Sequence, residues 1–323
     1  MSSHADRNVI APFALTSDRA RHRFGVFAWV VLAYNLPVIL WGAYVRVSFS
    51  GDGCGANWPF CNGQLIPQNM AAPTAIEFAH RMTTSVDSFL VLVLCAWAFL
   101  SFPRHHAVRL YAVLSVAFLF IEALLGAGLV VFRLVAKDQS AGRPWYLSAH
   151  LTNTLLLLAA LVVTAWVART NTPALRLRSL SRPVYCALAI TIFISITGAI
   201  TALGDTLFPA SSLESGVRQD FSSASHMLLR LRVIHPVLAV TGAGYLVWLA
   251  AGYLRDMQYS CVKQPAAAVV AITVLQLAAG MVNLSLLAPL WMQLTHLLIA
   301  DLLWIAVVIL ALETLRDRPR AAA

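Results

Sequence analysis

Charged side chains are scarce in this sequence. Asp, Glu, Lys and Arg together make up 11% of the 323 residues, whereas 59% are hydrophobic. This balance excludes an ordinary soluble domain and is typical of a protein embedded in a lipid bilayer. The net charge of +9 could indicate nucleic acid, but the basic residues cluster in short loops between apolar runs, as in membrane proteins. We therefore predict membrane lipid, and no nucleic acid, as a partner.

Cysteine is also rare, and its spacing excludes two kinds of site. The five cysteines form no C-x-x-C-H, the signature of covalent c-type haem attachment. They also form no C-x-x-C pair of the kind that indicates a zinc site.

Eight apolar runs are each long enough to cross about 30 Å of hydrocarbon at ~1.5 Å per residue. They cover residues 24–45, 76–100, 108–132, 145–168, 184–204, 231–253, 266–288 and 290–312. The predicted fold class is an all-α membrane protein with eight transmembrane helices. The first run is too long for a signal peptide, so we expect it to be retained.

The distribution of Lys and Arg predicts the orientation. Fifteen lie in the termini and in the loops on the same side, and eight lie on the other side, where the long 47–75 loop has none. Both termini are therefore predicted to be cytoplasmic. The short basic loops and the lack of a transit-like leader favour a bacterial inner membrane over a mitochondrial one.

Two cysteines share the outer 47–75 loop, where oxidation is permitted. We predict a disulfide between Cys54 and Cys61 on compartment and spacing. Two free thiols, or a purely structural staple, are the alternatives. The remaining cysteines lie toward or on the inner side: Cys95, Cys186 and Cys261.

Four histidines lie near the outer ends of apolar runs in two matched pairs, His80 with His150 and His235 with His296. An imidazole one or two turns inside hydrocarbon is costly unless it is paired or ligates something. One such histidine is usually a satisfied core residue, but four in a repeated pattern favour bis-histidine haem sites. Copper or zinc is less suitable, because neither pair has the cysteines or carboxylates that would complete a shell.

The two halves of the chain resemble each other. The segment IEALLGAGLVV (121–131) aligns with LQLAAGMVNLS (275–285), and each half carries a histidine on its second and fourth span. An even number of spans separates the copies, so both have the same orientation. We predict two tandem four-helix bundles related by a pseudo-twofold axis along the membrane normal. Four glycines of the repeat allow close helix packing or leave space beside a macrocycle: Gly42, Gly126, Gly198 and Gly280.

The predicted organisation has five parts. They are a cytoplasmic tail (1–23), an N-terminal bundle (24–168), a basic linker (169–182), a C-terminal bundle (183–313) and a second cytoplasmic tail (314–323). Both haem sites are then predicted to lie toward the outer face.

The halves differ beside the histidines. Glu77 and Arg232 occupy equivalent positions, three residues before His80 and His235. A carboxylate there could act as an acid or base, or stabilise developing charge, whereas an arginine would suit a haem propionate. We predict that the first bundle performs chemistry and the second holds a permanent haem. For Glu77 the alternative is a carboxylate that only stabilises a helix start. Three arginines could equally be interfacial snorkelling residues: Arg81, Arg230 and Arg232.

Other polar residues of the spans are predicted to support the histidines or to pair helices: Glu122, Asp87, Asp301 and Asn153. His226, in the outer 205–230 loop, is predicted to be a surface residue. The cytoplasmic histidines are predicted to be solvated: His4, His22, His105 and His106.

Several stretches resemble the haem A synthase family. They are GAYVRVSFSGDGCGANWPFCNG (42–63), the Glu-x-x-His-Arg of residues 77–81, AHLTNTLLLLAAL (149–161), LRVIHP (231–236) and LQLAAGMVN (275–283), with the histidine at 296. The resemblance covers approximately residues 24–312, and the glycine-rich Cys-x6-Cys loop followed by E-x-x-H-R is its most specific part. Glu122 departs from the pattern, where a neutral amide like Gln276 would be expected.

The resemblance implies an oxidoreductase that converts the C8 methyl group of haem o to a formyl group by successive hydroxylations. It implies that His80 and His150 flank the substrate haem and that His235 and His296 ligate a resident haem b. It also implies Glu77 as the catalytic carboxylate. Arg81 would lie near the substrate haem, at a propionate, and the Cys54–Cys61 disulfide would lie above the substrate site.

Partners are implied in the same way. They are a prenyltransferase that produces haem o (a haem O synthase) and a terminal oxidase or its assembly machinery, with a homo-oligomer as a further possibility. Two other functional classes fit part of the pattern. A dihaem b-type cytochrome acting with quinol would need four histidines but neither the Glu77–Arg232 asymmetry nor paired cysteines. A non-catalytic haem transporter or oxidase assembly factor would not depend on Glu77.

Overall fold

A computed structural model describes residues 17–172, 174–222, 225–256 and 260–316. Its α-helices are α1 (Asp18–Val47), α2 (Ala72–Ser101), α3 (Ala107–Val131), α4 (Gly142–Thr170), α5 (Arg182–Leu207), α6 (Leu213–Phe221), α7 (Met227–Arg232), α8 (Ile234–Arg255), α9 (Lys263–Ser285) and α10 (Leu290–Arg316). Eight helical segments within the described residues, with α7 and α8 counted together, are long and apolar enough to span a membrane. The predicted all-α membrane fold is thus confirmed.

The spans differ from the predicted ones mainly at their ends. Pro73 and Pro183 lie in the first turns of α2 and α5, where a missing N–H costs nothing, so both helices begin before their apolar runs. The predicted sixth span is interrupted at Val233, between α7 and α8. Pro236 explains the break, because it has no N–H to donate to the carbonyl of Arg232. The predicted tails lie partly outside the described residues, at 1–16 and 317–323.

Helix contacts form two rings. In the first, α1 packs against α2 and α4, and α3 packs against α2 and α4. In the second, α5 packs against α8 and α10, and α9 packs against α8 and α10. The rings meet where α4 contacts α10, α1 contacts α10 and α4 contacts α5. The repeat aligns α1 with α5 and α4 with α10, so it converts the α1–α10 contact into the α4–α5 contact. This equivalence is consistent with the predicted pseudo-twofold relation.

Helices α4 and α10 form the centre of the molecule, and most of their spanning lengths are buried. The indole N–H of Trp304 in α10 donates to the carbonyl of Leu155 in α4 at 2.7 Å. Trp166 in α4 donates to Glu313 Oε1 of α10 at 2.8 Å. Because lipid tails are as apolar as the side chains, such bonds and close packing hold membrane helices together.

One predicted surface histidine is buried. His106 is 8% exposed, and its Nδ1 accepts a hydrogen bond from the Val108 N–H at 3.2 Å, which caps α3. Burial, opposed by Asn171 and reinforced by the charge of Arg21, lowers the pKa of His106. The prediction of a solvated side chain was wrong, because a polar residue before an apolar run was assigned to solvent rather than to the unpaired N–H groups of a helix start.

Candidate functional site

The first histidine pair lies in the ring of α1 to α4. His80 of α2 lies against Gly42 of α1, so closely that a Cβ at Gly42 would lie 3.1 Å from its Cε1. The Nδ1 of His80 is buried and has no hydrogen-bond partner among the described residues. His150 of α4 faces Gly126 of α3, where a Cβ would lie 3.8 Å from Nε2. The two imidazoles are near enough to interact electrostatically.

The second pair repeats this arrangement. A Cβ at Gly198 of α5 would lie 3.0 Å from Cε1 of His235, and one at Gly280 of α9 would lie 3.2 Å from Cε1 of His296. The two imidazoles again interact electrostatically. Each histidine ring therefore packs against the backbone of a neighbouring helix at a glycine, which fixes the ring more tightly than a flexible side chain would.

The partners of the rings differ between the bundles. His150 Nδ1 lies 3.0 Å from Oε1 of Glu122, a carboxylate that also accepts a hydrogen bond from the amide of Asn153 at 2.5 Å. In the second bundle the contacts are neutral. Thr197 Oγ1 lies 3.1 Å from His235 Nδ1, and Gln276 Nε2 lies 3.2 Å from His296 Nε2.

The sequence aligned Glu122 with Gln276 and predicted that Glu122 supports a histidine or pairs helices. The structure shows Glu122 against His150, and the contact of Gln276 with His296 was not predicted. Sequence reasoning overlooked Thr197, although its position directly before Gly198 could have indicated the contact. The other polar residues of the spans are distributed differently. Asp87 accepts a hydrogen bond from the Asn35 amide at 2.9 Å and so pairs α2 with α1, which is one of the two roles considered for it. Asp301 is 1% exposed, and its Oδ2 has no hydrogen-bond partner among the described residues.

Glu77 connects the first bundle to the loop of residues 47–75. Its carboxylate is 3% exposed, accepts the Cys54 backbone N–H at 2.8 Å and pairs with the Arg81 guanidinium at 2.5 Å. Arg81 also donates to the carbonyls of Asn57 at 2.8 Å and Phe60 at 2.8 Å. The predicted propionate contact of Arg81 stays a prediction, and the contacts observed are with the loop.

The 47–75 loop is closed by the predicted disulfide. Cys54 and Cys61 are bonded, with their Cα atoms 4.4 Å apart, and both side chains are buried. The Thr74 hydroxyl donates to the Gly53 carbonyl at 2.8 Å and holds the same loop on the start of α2. The predicted disulfide is confirmed, and the loop it closes contacts Glu77 directly.

Arg232 of the second bundle is held by two carboxylates. Its guanidinium lies 2.9 Å from Asp205 and 2.6 Å from Asp220. Arg230 lines a cavity beside Asp220 and Ile234. His226 is not a plain surface residue, because it caps α7 through Leu228 N–H and its ring lies 5.1 Å from that of Phe208.

The donor set fits haem better than a bare metal ion. Within the described ranges, no three His, Cys, Asp or Glu side chains converge as a metal site. A haem iron already has four nitrogen ligands from its macrocycle and takes two axial imidazoles, which is what each bundle offers. The unpartnered Nδ1 of His80 and the glycine behind each ring suit such a flat group.

Comparison with known proteins finds relatives over most of the chain. A family model described as "Cytochrome oxidase assembly protein" matches residues 25–308. A Thermus thermophilus protein named "Protoheme IX farnesyltransferase" is 42% identical over 298 residues, which are 91% of this chain and 48% of that protein. A protein named "Heme A synthase" from Exiguobacterium sibiricum is 32% identical over 179 residues, 55% of this chain and 58% of that protein.

A second "Heme A synthase", from Halalkalibacterium halodurans, is 41% identical over 95 residues, 29% of this chain and 32% of that protein. The chain spans about half the length of the Thermus relative. The family model, in contrast, spans both histidine pairs and the disulfide loop. With its eight spans and paired histidines, the chain belongs to the haem A synthase family.

Proposed function

We propose that this chain oxidises the C8 methyl group of haem o to a formyl group by successive hydroxylations, giving haem a for a terminal oxidase. The observation that carries the proposal is the unequal pair of sites. Both bundles hold two glycine-backed histidines. In the first, the half-buried carboxylate of Glu122 contacts His150, and the buried carboxylate of Glu77 lies one helical turn before His80, whereas the described contacts of the second pair are neutral. Bound haem iron supplies the redox chemistry.

His80 and His150 are proposed as the residues that would hold the substrate haem. Glu122 lies 3.0 Å from Nδ1 of His150 and is proposed to orient that ring, so that Nε2 would be the nitrogen available to a haem iron. Glu77 is proposed to accept protons released as the methyl group is oxidised. Its pairing with Arg81 and the Cys54 N–H fixes the position of the carboxylate before substrate binds.

His235 and His296 are proposed to bind a resident haem b. Their neutral partners, Thr197 and Gln276, can orient the rings without adding charge. A group that stays bound and only passes electrons needs no acid or base beside it. We propose that the Cys54–Cys61 disulfide shapes the loop that positions Glu77.

The remaining predictions belong to the same proposal. The bundles are assigned to residues 24–168 and 183–313, in a bacterial inner membrane with cytoplasmic termini and haem sites toward the outer face. A haem O synthase is proposed to supply the substrate. The Thermus relative named as a farnesyltransferase supports this, because nearly all of this chain matches about half of it. Oxidase assembly machinery would receive the product.

The test is co-expression with a haem o-producing enzyme, followed by purification, haem extraction and mass analysis. We expect hydroxylated haem o or haem a from the wild type together with haem b. Glu77→Gln should lose most of the oxidised product, on the order of 100-fold for a lost proton acceptor, and keep haem b. Glu214→Gln, on the exposed helix α6, is the matched control and should behave as wild type.

Three other results would be decisive. Haem b in both bundles with no modified haem would identify a dihaem b-type cytochrome acting with quinol. A single, transiently filled site would identify a haem carrier or assembly factor. Full product formation by Glu77→Gln with normal haem content would remove Glu77 from the reaction.

A further inference from the structure

Arg46 extends from the first bundle into the second. It lies in α1, four residues and therefore about one turn outward from Gly42. One guanidinium nitrogen donates to the Ala202 carbonyl at 2.7 Å and the Thr206 hydroxyl at 3.0 Å, both in α5. The other contacts Gln293 Oε1 of α10 at 3.4 Å. All three acceptors are uncharged.

Arg143 places a second cation nearby. It lies in the first turn of α4, seven residues before His150, and is 2% exposed. One of its terminal nitrogens donates to the carbonyls of Ala136 at 2.9 Å and Asp138 at 2.8 Å. Its Nε is buried and has no acceptor among the described residues. The charges of Arg143 and Arg46 are close enough to repel each other.

The local carboxylates do not neutralise these cations. Across the described parts of the chain, no carboxylate lies within 4.0 Å of either guanidinium. Asp205 attracts Arg46, but it is paired with Arg232 at 2.9 Å. Asp138 attracts Arg143 from beyond 4.0 Å, and its carboxylate accepts hydrogen bonds from Ser140. A buried arginine beside a half-buried one is costly when no carboxylate contacts either guanidinium, and a bound anion would offset that cost.

The position of the two cations relates them to both histidine pairs. Arg46 is about one turn outward from the glycine that backs His80, and Arg143 is about two turns outward from His150. Gln293, which holds Arg46, is about one turn outward from His296. A haem held by either pair carries its only charged peripheral groups, two carboxylates, on one edge.

We propose that Arg46 and Arg143 together bind a haem propionate at the outer end of the contact between the bundles. This rests on the haem sites of the proposed function. A guanidinium group binds a carboxylate through two parallel hydrogen bonds. Arg46 and Arg143 each have N–H donors that are not used by the neutral acceptors around them. Arg81 and Arg232, by contrast, already pair with carboxylates of the chain.

The test compares haem with its dimethyl ester, which has the same macrocycle and no carboxylates. Dissociation constants for both are measured on the purified, haem-depleted full chain. Wild type should prefer haem by about tenfold or more, as expected for a charged hydrogen bond. Arg46→Gln and Arg143→Gln should each lose most of that preference. Arg133→Gln, at an exposed arginine on the same end of the molecule, should keep it.

Two further arms identify the haem concerned. The comparison is repeated in His80→Ala, which leaves the second pair, and in His235→Ala, which leaves the first. If the arginine variants abolish the preference for haem over its ester in His80→Ala, the propionate belongs to the haem of the second pair. If they do so in His235→Ala, it belongs to the haem of the first pair. If either glutamine variant does not fold, Arg46→Lys or Arg143→Lys keeps the charge without the fork and should show a reduced preference.

Equal ratios of the two dissociation constants in wild type and both arginine variants would overturn the proposal, even if the wild type makes haem a. Conversely, a lost preference in a chain that makes no modified haem would support the propionate site and refute only the synthase function.

Discussion

At the scale of single residues, the two sites differ in the side chain that contacts the histidine of the last helix in each bundle. Glu122 places a carboxylate oxygen 3.0 Å from Nδ1 of His150, and Gln276 places an amide nitrogen 3.2 Å from Nε2 of His296. A carboxylate partner increases the basicity of a ligating imidazole, and a stronger donor stabilises oxidised iron. The two bundles should therefore differ in reduction potential.

Glu122→Gln should make the first site resemble the second. We expect the midpoint potential of haem bound in the first bundle to rise by about 60 mV, which is tenfold in the equilibrium constant of a one-electron couple. Spectroelectrochemical titration of the purified protein measures it. Gln276→Glu is the matched converse and should lower the potential of the second haem. Unchanged potentials in both variants would show that these contacts do not tune the iron.

At the scale of helices, the cap of α3 makes the stability of this segment depend on pH. His106 accepts a backbone N–H only when it is neutral, and its pKa is lowered by burial. Between that value and the unfolded value of about 6.5, the unfolded chain binds more protons. Stability therefore rises with pH in this window and is lost as pH falls.

We expect the melting temperature of the wild type to fall more steeply than that of His106→Asn as the pH is lowered from about 7.5 to about 5.5. This range is chosen because it spans the unfolded histidine pKa of about 6.5. Asparagine is a good N-cap that does not titrate in this range. Thermal unfolding in detergent measures the difference. His105→Asn, at the exposed neighbouring position, is the control and should keep the wild-type slope. Parallel slopes for all three proteins would exclude His106 as the titrating cap.

Helix positions were predictable from the sequence, because a run of about twenty apolar residues has few stable structures other than a membrane-spanning helix. The pairing of histidines within bundles was predictable because the repeat placed them at equivalent positions. The contacts of polar side chains were not. Glu122 against His150, or Arg46 across the bundle boundary, depends on the rotation of each helix about its axis, which an all-apolar run does not define.

At the scale of the whole molecule, the orientation in the membrane can be tested directly. A fluorescent protein fused after residue 316 should fluoresce, and alkaline phosphatase fused there should be inactive, because the C-terminus is predicted to be cytoplasmic. Alkaline phosphatase inserted in the 47–75 loop should be active. An active phosphatase at the C-terminus would reverse the topology and place both histidine pairs near the cytoplasm.

The distribution of buried helices has a consequence for how a large flat molecule enters and leaves. In each pair, one histidine is on a central helix, α4 or α10, whose span is mostly buried. The other is on a peripheral helix, α2 or α8, and most of that span is exposed on the surface of the protein. Moving a central helix would separate the bundles, whereas moving a peripheral one disturbs mainly lipid. We therefore expect α2 to move when haem enters the first bundle from the bilayer. The thickness and fluidity of the surrounding lipid should then set the rate at which haem exchanges.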